Sequence, residues 1–421
     1  RWAELLIEHK EELAAILSLE EGKTYSESLG EVGKSINIIE FMAGEGRRLG
    51  GETLPSELPR TFIYTVKQPL GVVAVITPWN FPVAIPCWKM APALVAGNTI
   101  VFKPASLTPW TAQRVVELLE QAGLPPGVVN LVHGPGGALG DALVAHPDVR
   151  AVSFTGSNEV GTHVYVEGAK RLLKVQCEMG GKNPLVVLED ADLELAADAT
   201  AQGAFGSTGQ RCTATSRAIV IDKVADRFLE MVAERAKKVV VGDPLANGVT
   251  MGPSVDARQF DTVLSYLDVG KSEGARLVTG GRRLDGENHA HGFFMEPTVF
   301  DGVTHDMRIA REEIFGPVLS VLRVRDFDEA VRVANDVPFG LSSSLYTRDA
   351  DLALRFVDLI ETGIVHLNSP TVGGEAQAPF GGMKGTGVGS REQGRVSLDF
   401  FTELKTVYFD YTGRKREGNL Y

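Results

Sequence analysis

The sequence has few cysteines, no long apolar run and no excess of basic residues, and each shortage excludes a class of protein. Its three cysteines, Cys87, Cys177 and Cys212, are an odd number and widely spaced, so we expect no disulfide framework and a reducing, cytoplasmic compartment. The most apolar stretch, GVVAVITPWNFPVAIPCW, is interrupted by three prolines and an asparagine, so no membrane span is expected. A formal net charge of −12 argues against nucleic-acid and anionic-membrane partners.

Two common kinds of catalytic site are also missing. The eight histidines are scattered, and the close pair His289 and His291 lies in a polar loop without a cysteine, so we expect no metal site. The chain has no G-x-S-x-G motif to support serine-histidine-aspartate chemistry.

The chain of 421 residues is long enough for two or more domains. Leu5, Leu6, Leu13 and Ile16 at helical spacing predict amphipathic helices over residues 1–48, which open without Met, so we expect a further N-terminal piece before them. A strand pair is predicted over TFIYTVKQPLGVVAVIT. Short β-branched runs then alternate with longer helical segments, and the rhythm restarts after residue 181. This pattern predicts two α/β domains with parallel sheets.

Glycines follow two of the predicted strands, where helix N-termini could approach an anion. VNLVHGPGGALG contains Gly134, Gly136 and Gly140, and FTGSNEVG contains Gly156 and Gly161. Neither stretch has the full dinucleotide fingerprint, so tight turns without a ligand remain an alternative.

Single polar residues at strand or motif ends are equally ambiguous when each is taken alone. Lys103 and Ser106 in VFKPAS could meet a phosphate or ribose, or could be solvated. Asn80 lies between prolines in TPWNFP and could stabilise an oxyanion. Glu178 in CEMGGK could have a raised pKa and act as a general base. Cys212 lies among hydroxyls and glycines in FGSTGQRCTATSR, an unusual setting for a free cysteine.

Seven motifs in order, TPWNFP, FKPAS, FTGS, EMGGK, GQRC, EEIFGP and PFGGMKGTG, closely resemble the aldehyde dehydrogenase superfamily over residues 10–412. The resemblance implies Cys212 as nucleophile, Glu178 as general base and Asn80 as oxyanion donor together with the Cys212 backbone N–H. It implies two Rossmann-like parallel-sheet domains, for cofactor and catalysis, plus a small β oligomerisation arm. The cofactor residues that it implies are Ile76, Thr77, Pro78, Trp79, Lys103, Pro104, Ala105, Ser106, Gly136, Phe154, Thr155, Gly156, Ser157, Gly161, Met179, Glu313 and Phe315.

By the same resemblance, Cys212 attacks an aldehyde, hydride leaves to a nicotinamide cofactor, and Glu178 activates water to hydrolyse the thioester. A base at Glu178 favours a free acid over transfer to coenzyme A. A non-catalytic structural or binding relative, and a cysteine hydrolase or acyltransferase without redox chemistry, are the alternatives from other classes.

The cofactor and substrate are predicted from fewer residues. NAD-preferring relatives commonly have glutamate where this chain has Ser106, so we expect NADP to be accepted, and even preferred, alongside NAD. Arg211 is a candidate for binding an anionic aldehyde, and Phe380 is expected to line the aldehyde pocket. The subgroup that the chain looks most like is α-ketoglutarate semialdehyde (2,5-dioxopentanoate) dehydrogenase. Succinate semialdehyde, phosphorylated glyceraldehyde and general aliphatic aldehydes are alternatives, and Glu375 in the pocket loop fits poorly with a dicarboxylate product.

The resemblance also divides the chain. Residues 1–50 and 71–180 are expected to form the cofactor domain, 181–372 the catalytic domain, 373–398 a return segment to the cofactor domain, and 51–70 with 399–421 the arm. A homodimer or homotetramer is expected.

Overall fold

The computed structural model describes residues 1–286 and 288–415 and contains two large, mostly parallel β-sheets and a small three-stranded sheet. Helices pack on both large sheets. This architecture confirms the expected pair of Rossmann-like sheets with a separate β arm. No helix in the described ranges is long and apolar enough to span a bilayer.

Three helices open the chain, α1 (Trp2–Glu8), α2 (Lys10–Glu21) and α3 (Tyr25–Glu45). The predicted apolar positions Leu5, Leu6 and Leu13 are buried against the first large sheet and its helices. A capping box fixes the start of α3, because the Thr24 side chain accepts from the Glu27 N–H while the Glu27 carboxylate accepts from the Thr24 N–H. The face of α3 that carries Glu27 therefore has a defined position.

The first large sheet has five parallel strands and one short antiparallel edge strand. Its strands are β3 (Val72–Ile76), β4 (Thr99–Lys103), β5 (Val129–Leu131), β6 (Val149–Thr155), β7 (Lys174–Glu178) and β17 (Gly387–Val388), in the order β17-β7-β6-β3-β4-β5. Its helices are α4 (Ala84–Val95), α5 (Pro109–Gln121), α6 (Gly136–Ala145) and α7 (Asn158–Ala169). The β3, β6 and β7 strands are largely buried because helices cover both faces.

The second large sheet is parallel except for one edge strand. Its strands are β8 (Asn183–Val187), β9 (Thr215–Ile221), β10 (Arg276–Thr279), β11 (Thr298–Asp301), β12 (Val318–Val324), β14 (Ser342–Tyr346) and β15 (Ile364–Leu367), in the order β10-β11-β12-β9-β8-β14-β15. Its helices are α8 (Leu193–Phe205), α9 (Asp222–Lys238), α10 (Ala257–Ser272), α11 (Arg308–Arg311), α12 (Phe327–Asn335) and α13 (Ala350–Leu359). The chain passes from the first sheet to the second between Glu178 and Asn183.

The third sheet corrects one prediction. The strands β1 (Thr53–Leu54), β2 (Thr61–Pro69) and β18 (Thr402–Asp410) pair antiparallel in the order β1-β2-β18, and the short helix α14 (Ser397–Phe400) precedes β18. The predicted pairing of β2 with β3 is wrong, because β3 pairs with β4 and β6 instead. The two strands differ in burial: β3 is almost fully buried inside the first large sheet, whereas β2 is half-exposed along its length in the arm. Two further short strands, β13 (Phe339–Gly340) and β16 (Met383–Lys384), pair with each other.

Candidate active site

Two cavities meet at Cys212. One, of about 290 Å³, is lined by the predicted residues Pro78, Trp79, Asn80, Thr155, Gly156, Ser157, Met179, Glu313 and Phe315. The other, of about 270 Å³, is lined by Glu27, Glu31, Lys34, Trp88, Arg211 and Phe380. Cys212 and Ile85 line both cavities. Cys212 thus borders both cavities.

The backbone before Cys212 is strained in a specific way. Ser207, Thr208 and Gly209 have positive φ angles of 48°, 57° and 66°. A Cβ at Gly209 would collide with the Gly316 carbonyl, so only glycine fits there. The Asn183 side chain holds the far side of the turn, because its Nδ2 donates to the Cys212 and Ala214 carbonyls at 2.8 and 2.9 Å. Such local strain is a common mark of functional sites.

The Cys212 thiol is neutral at rest. Burial raises its pKa to about 12, and the nearby carboxyl groups of Glu313 and Glu178 add to the rise, while the Lys34 ammonium opposes it. Burial also raises the pKa of the Cys177 thiol to about 12 and that of Cys87 still further. Cys212 differs from those two by its exposure to the cavities rather than by a low pKa.

Asn80 and Cys212 both line the 290 Å³ cavity. The Asn80 side chain is hydrogen-bonded to Gln210, which lies 130 residues further along the chain. The Asn80 Nδ2 donates to the Gln210 carbonyl at 3.0 Å, and the Asn80 carbonyl accepts from Lys23 Nζ at 2.6 Å. An amide nitrogen has two hydrogens, so one remains for an oxyanion. The amide is therefore held in place before any ligand arrives.

Glu178, the last residue of β7, does not line either of these cavities. Its carboxylate lies against Gly381, where a side chain would collide with it, and Oε2 has no hydrogen-bond partner among the described residues. Burial raises its pKa well above the usual carboxyl range, and the charge of Glu392 adds to the rise, whereas Lys89 and Arg391 oppose it. The group is close enough to raise the pKa of Cys212. The structure thus leaves Glu178 off both cavity walls, with an electrostatic effect on Cys212 but no hydrogen bond to it among the described residues.

A buried network beside Glu178 was missed in the sequence. Lys89 pairs with the Glu392 carboxylate and donates to Ser153 Oγ at 2.9 Å. Trp88 Nε1 donates to the other Glu392 oxygen at 2.8 Å. A lysine in the otherwise apolar helix sequence AIPCWKMAPALV was the available signal, because buried lysines need a partner.

The predicted ribose-side residues lie beyond the wall of the 290 Å³ cavity, at the ends of β3 and β4. Ile76 pairs with Lys103, and the Thr77 N–H donates to the Lys103 carbonyl. Lys103 Nζ lies 3.7 Å from where a Cβ at Gly136 would be, and Ser106 Oγ donates to the Gly134 carbonyl at 3.1 Å. Burial lowers the pKa of Lys103. Pro104 and Ala105 continue the same turn.

Gly156 and Ser157, at the start of α7, line the 290 Å³ cavity. Ser157 is the N-cap and accepts from the Val160 N–H at 3.4 Å. Gly156 leaves room for the Phe154 ring and Gly161 leaves room for the Met179 thioether, since a Cβ at either glycine would collide with these side chains. The glycines let the helix pack close to β6 and β7.

Glu313 and Phe315 close the opposite wall. Glu313 Oε1 accepts from the Gly181 N–H at 2.9 Å, and burial raises the pKa of this carboxyl to about 7. Phe315 has a φ of 59° and contacts Trp79 edge-on, with 5.5 Å between the ring centroids. Gln259, which the sequence did not single out, donates to the Ile314 and Phe315 carbonyls.

The residues predicted for substrate contact lie on the 270 Å³ cavity. Arg211 lines it but is already paired, because its guanidinium contacts Glu27 Oε1 at 3.2 Å and Ser207 Oγ at 3.0 Å. Phe380 lies next to Trp88, with ring centroids 5.4 Å apart. Glu375 is exposed and does not line this cavity. Within the described ranges, no group of three or more His, Cys, Asp or Glu could hold a metal ion.

Comparison with known proteins gives a consistent result. The sequence profile described as "Aldehyde dehydrogenase family" matches residues 1–407. The α-ketoglutaric semialdehyde dehydrogenase of Bacillus subtilis (strain 168) is 49% identical over 406 residues, 96% of this chain and 83% of the relative. The 2,5-dioxopentanoate dehydrogenase of Saccharolobus solfataricus is 49% identical over 408 residues, 96% of this chain and 84% of the relative. A crystal structure of Staphylococcus aureus betaine aldehyde dehydrogenase with NAD+ superposes with a TM-score of 0.96 at 38% identity, covering 98% of this chain and 82% of that one.

Proposed function

This chain belongs to the aldehyde dehydrogenase family, and from that premise we propose that it oxidises α-ketoglutarate semialdehyde (2,5-dioxopentanoate) to the dicarboxylic acid with NAD or NADP. The observation that carries the proposal is the position of Cys212 between two cavities. One is lined by several of the residues assigned to the cofactor, and the other by a lysine, an arginine, two glutamates and three aromatic side chains.

The residues of the 290 Å³ cavity fit a nicotinamide dinucleotide. The N-terminus of α7 suits a pyrophosphate, Lys103 beside Gly136 suits a ribose, and a Cβ at Gly180 would push the Glu313 carboxylate out of its place. When bound, such a cofactor supplies the acceptor for the hydride that leaves the substrate carbon. The sites assigned to Ile76, Thr77, Pro104, Ala105, Phe154 and Gly161 remain part of this proposal.

The chemistry on the protein is then assigned to three residues. The Cys212 sulfur bonds to the aldehyde carbon while its thiol proton passes to solvent water, and the C=O π electrons move to the oxygen, which becomes an oxyanion. The free Asn80 amide hydrogen and the Cys212 backbone N–H stabilise that oxyanion. After oxidation the acyl group remains on Cys212 as a thioester. Glu178 accepts a proton from water as the water oxygen attacks the thioester carbon. The C–S bond then breaks, the acid is released, and Glu178 returns the proton to the Cys212 sulfur.

The two-cofactor proposal rests on Ser106. The hydroxyl of Ser106 lies by Gly134 and has no negative charge to repel a 2′-phosphate, and Lys103 provides a positive charge close by. The fold neighbour with NAD+ supports use of NAD, so we propose that both forms are used.

The assembly and location complete the proposal. We expect a homodimer or homotetramer formed through the β1-β2-β18 sheet, and a cytoplasmic enzyme because its three cysteines are unpaired. The division of the chain at residues 50, 70, 180, 372 and 398 stays a prediction.

An absorbance assay at 340 nm with a panel of aldehydes tests the function. We expect oxidation of α-ketoglutarate semialdehyde with NAD and with NADP, with higher kcat/KM than for succinate semialdehyde or pentanal. Cys212→Ala is expected to abolish turnover, and Cys87→Ala, the same change at a core cysteine, serves as the matched control. Equal or better turnover of uncharged aldehydes would replace the proposed substrate with a general aliphatic aldehyde. No reduction of either cofactor with any aldehyde would overturn the activity itself.

A further inference from the structure

Lys34 places a positive charge inside the 270 Å³ cavity. It belongs to α3, on the same helical face as Glu27, Gly30 and Glu31, and all four line the cavity. The capping box at Thr24 fixes the start of this helix, and α3 packs on α4, so the position of Lys34 is set by regular structure rather than by a loop.

The other charged groups on that wall already have partners. Glu27 pairs with Arg211 at 3.2 Å. Glu31 pairs with Lys23 at 2.6 Å and accepts from the Val83 and Ala84 backbone N–H groups at 2.8 and 3.1 Å. Neither carboxylate makes an ion pair with Lys34, although the charge of Glu31 favours the Lys34 ammonium.

Lys34, by contrast, has no hydrogen bond or ion pair to any residue within 1–286 and 288–415. Its ammonium lies 5.1 Å from the Trp88 ring centroid and 5.9 Å from that of Phe380. These ring faces partly stabilise the charge, and they leave the ammonium hydrogens without an oxygen acceptor. Lys34 is partly buried, and this burial lowers its pKa.

We propose that Lys34 is the residue that binds the distal carboxylate of the aldehyde and sets the preference for anionic substrates, whereas Arg211 stays in its ion pair with Glu27. This inference rests on the proposed function and adds the residue that selects its substrate class. It reassigns the role that the sequence pattern gave to Arg211.

An ammonium that lies over two neighbouring aromatic rings is partly desolvated and has no anionic partner, so an entering carboxylate adds a charge-assisted hydrogen bond that the free enzyme lacks. An uncharged aldehyde of the same length gains nothing from Lys34 and leaves the ammonium without an acceptor. For this reason, a site built to hydrogen-bond a polar group strongly favours a substrate that has the group over one that lacks it.

The test compares pairs of aldehydes of equal chain length with and without a terminal carboxylate, succinate semialdehyde against butanal. For each enzyme variant the measured quantity is the ratio of kcat/KM for the anionic aldehyde to that for the uncharged one. In Lys34→Met we expect this ratio to fall roughly 10- to 100-fold, mainly through KM of the anionic aldehyde. Lys34→Arg should keep most of the preference, since it retains the charge.

Two further variants separate a local role from a general charge effect. Lys10→Met removes the same charge near α3 but outside the cavity lining, and it should keep the wild-type ratio. Lys34→Gln replaces Lys34→Met if the latter does not fold. Inhibition by glutarate, an anion that is not oxidised, gives a second readout. Glutarate should compete with butanal in the wild type, and its inhibition constant should be at least tenfold higher in Lys34→Met.

The outcomes distinguish the two proposals. A wild-type enzyme without preference for the anionic aldehyde refutes the proposed substrate class. A wild-type preference that persists within twofold in Lys34→Met and Lys34→Gln refutes the role of Lys34 alone. A loss of preference that equals the loss in Lys10→Met refutes it as well, because the effect is then a long-range charge effect.

Discussion

At the scale of single residues, the site depends on access rather than on an activated thiol. All three cysteines have a raised pKa, and Cys212 alone among them lines the two cavities. A neutral thiol at rest is protected from unwanted alkylation and oxidation. Reactivity must therefore come from a base or from the field of bound ligands, and not from the apo environment.

The first prediction is the pH dependence of Cys212 alkylation by iodoacetamide in the enzyme without added cofactor. The pKa of the thiol is about 12, so the reactive thiolate is a minor species below that pH. We expect the rate to rise about tenfold per pH unit between pH 7 and 9, as measured by peptide mass spectrometry. A rate that levels off below pH 8 would contradict the raised pKa, and Cys212→Ala supplies the background.

The second prediction concerns Glu178→Gln. The amide cannot accept a proton from water, so hydrolysis of the thioester should slow by roughly 10²- to 10⁴-fold while the first oxidation persists. Stopped-flow absorbance at 340 nm should then show a burst of about one cofactor reduced per Cys212, followed by slow turnover. Steady turnover at the wild-type rate would show that Glu178 is not the base.

The wild-type pH profile follows from the same group. Burial and Glu392 raise the pKa of Glu178, and only its deprotonated form can act as base, so kcat should fall as the pH drops through that raised pKa. The fall should occur at a higher pH than for an ordinary carboxyl.

Sequence reasoning found the residues that carry recognisable motifs and missed those that act through packing. Cys212 and Asn80 share one cavity, although 132 positions of sequence separate them. Lys34 and Gln259 escaped notice because their roles depend on which helix face meets the cavity, which no local pattern states. The partner of Arg211 was equally hidden, because Glu27 lies 184 residues away.

At the scale of elements, the turns after β4 and β5 bring together the residues proposed for the ribose end of the cofactor. Lys103 ends β4 and lies beside Gly136 at the start of α6, and Ser106 reaches the Gly134 carbonyl. The carboxyl ends of two adjacent parallel strands thus bring these residues together, as expected for ligand sites in α/β sheets.

The third prediction is that Ser106→Glu shifts the cofactor preference toward NAD. A carboxylate at this position would repel a 2′-phosphate, so kcat/KM with NADP should fall at least tenfold relative to that with NAD. The wild type should accept NADP, and Ser106→Gln, of similar size without the charge, is the control. A wild-type kcat/KM for NAD far above that for NADP would contradict the role given to Ser106.

The prediction of helices and strands succeeded where the hydrophobic periodicity was strong. It failed where two neighbouring strands had the same pattern. The helices over residues 1–48 and the alternating strands and helices are confirmed. The strands β2 and β3 are adjacent in sequence and both β-branched, and only burial separates them into different sheets. The local pattern contains no information about that tertiary difference.

At the scale of the whole molecule, the β1-β2-β18 sheet carries apolar side chains that no other described residue covers. Leu404 and Tyr408 on β18 are 61% and 68% exposed, and they share one face of the strand. An exposed edge strand with such side chains is a favourable site for a second subunit.

The fourth prediction tests this surface by sedimentation. The wild type should sediment with at least twice the 45.3 kDa of one chain. The double variant Leu404→Lys, Tyr408→Lys should shift the distribution toward single chains, because two buried charges oppose association. Leu354→Lys, at a leucine 67% exposed on α13, is the matched control. A wild type that remains a single chain at micromolar concentration would contradict the proposed arm.

The account as a whole depends on one covalent species, an acyl group on Cys212. The most direct measurement is the peptide mass spectrum of Glu178→Gln quenched in acid after mixing with succinate semialdehyde and NADP. The account predicts a mass increase equal to the acyl group on the peptide that contains Cys212, and none when Cys212 is also replaced by alanine. An adduct on the Cys87 or Cys177 peptide, or cofactor reduction by the variant without Cys212, would contradict it.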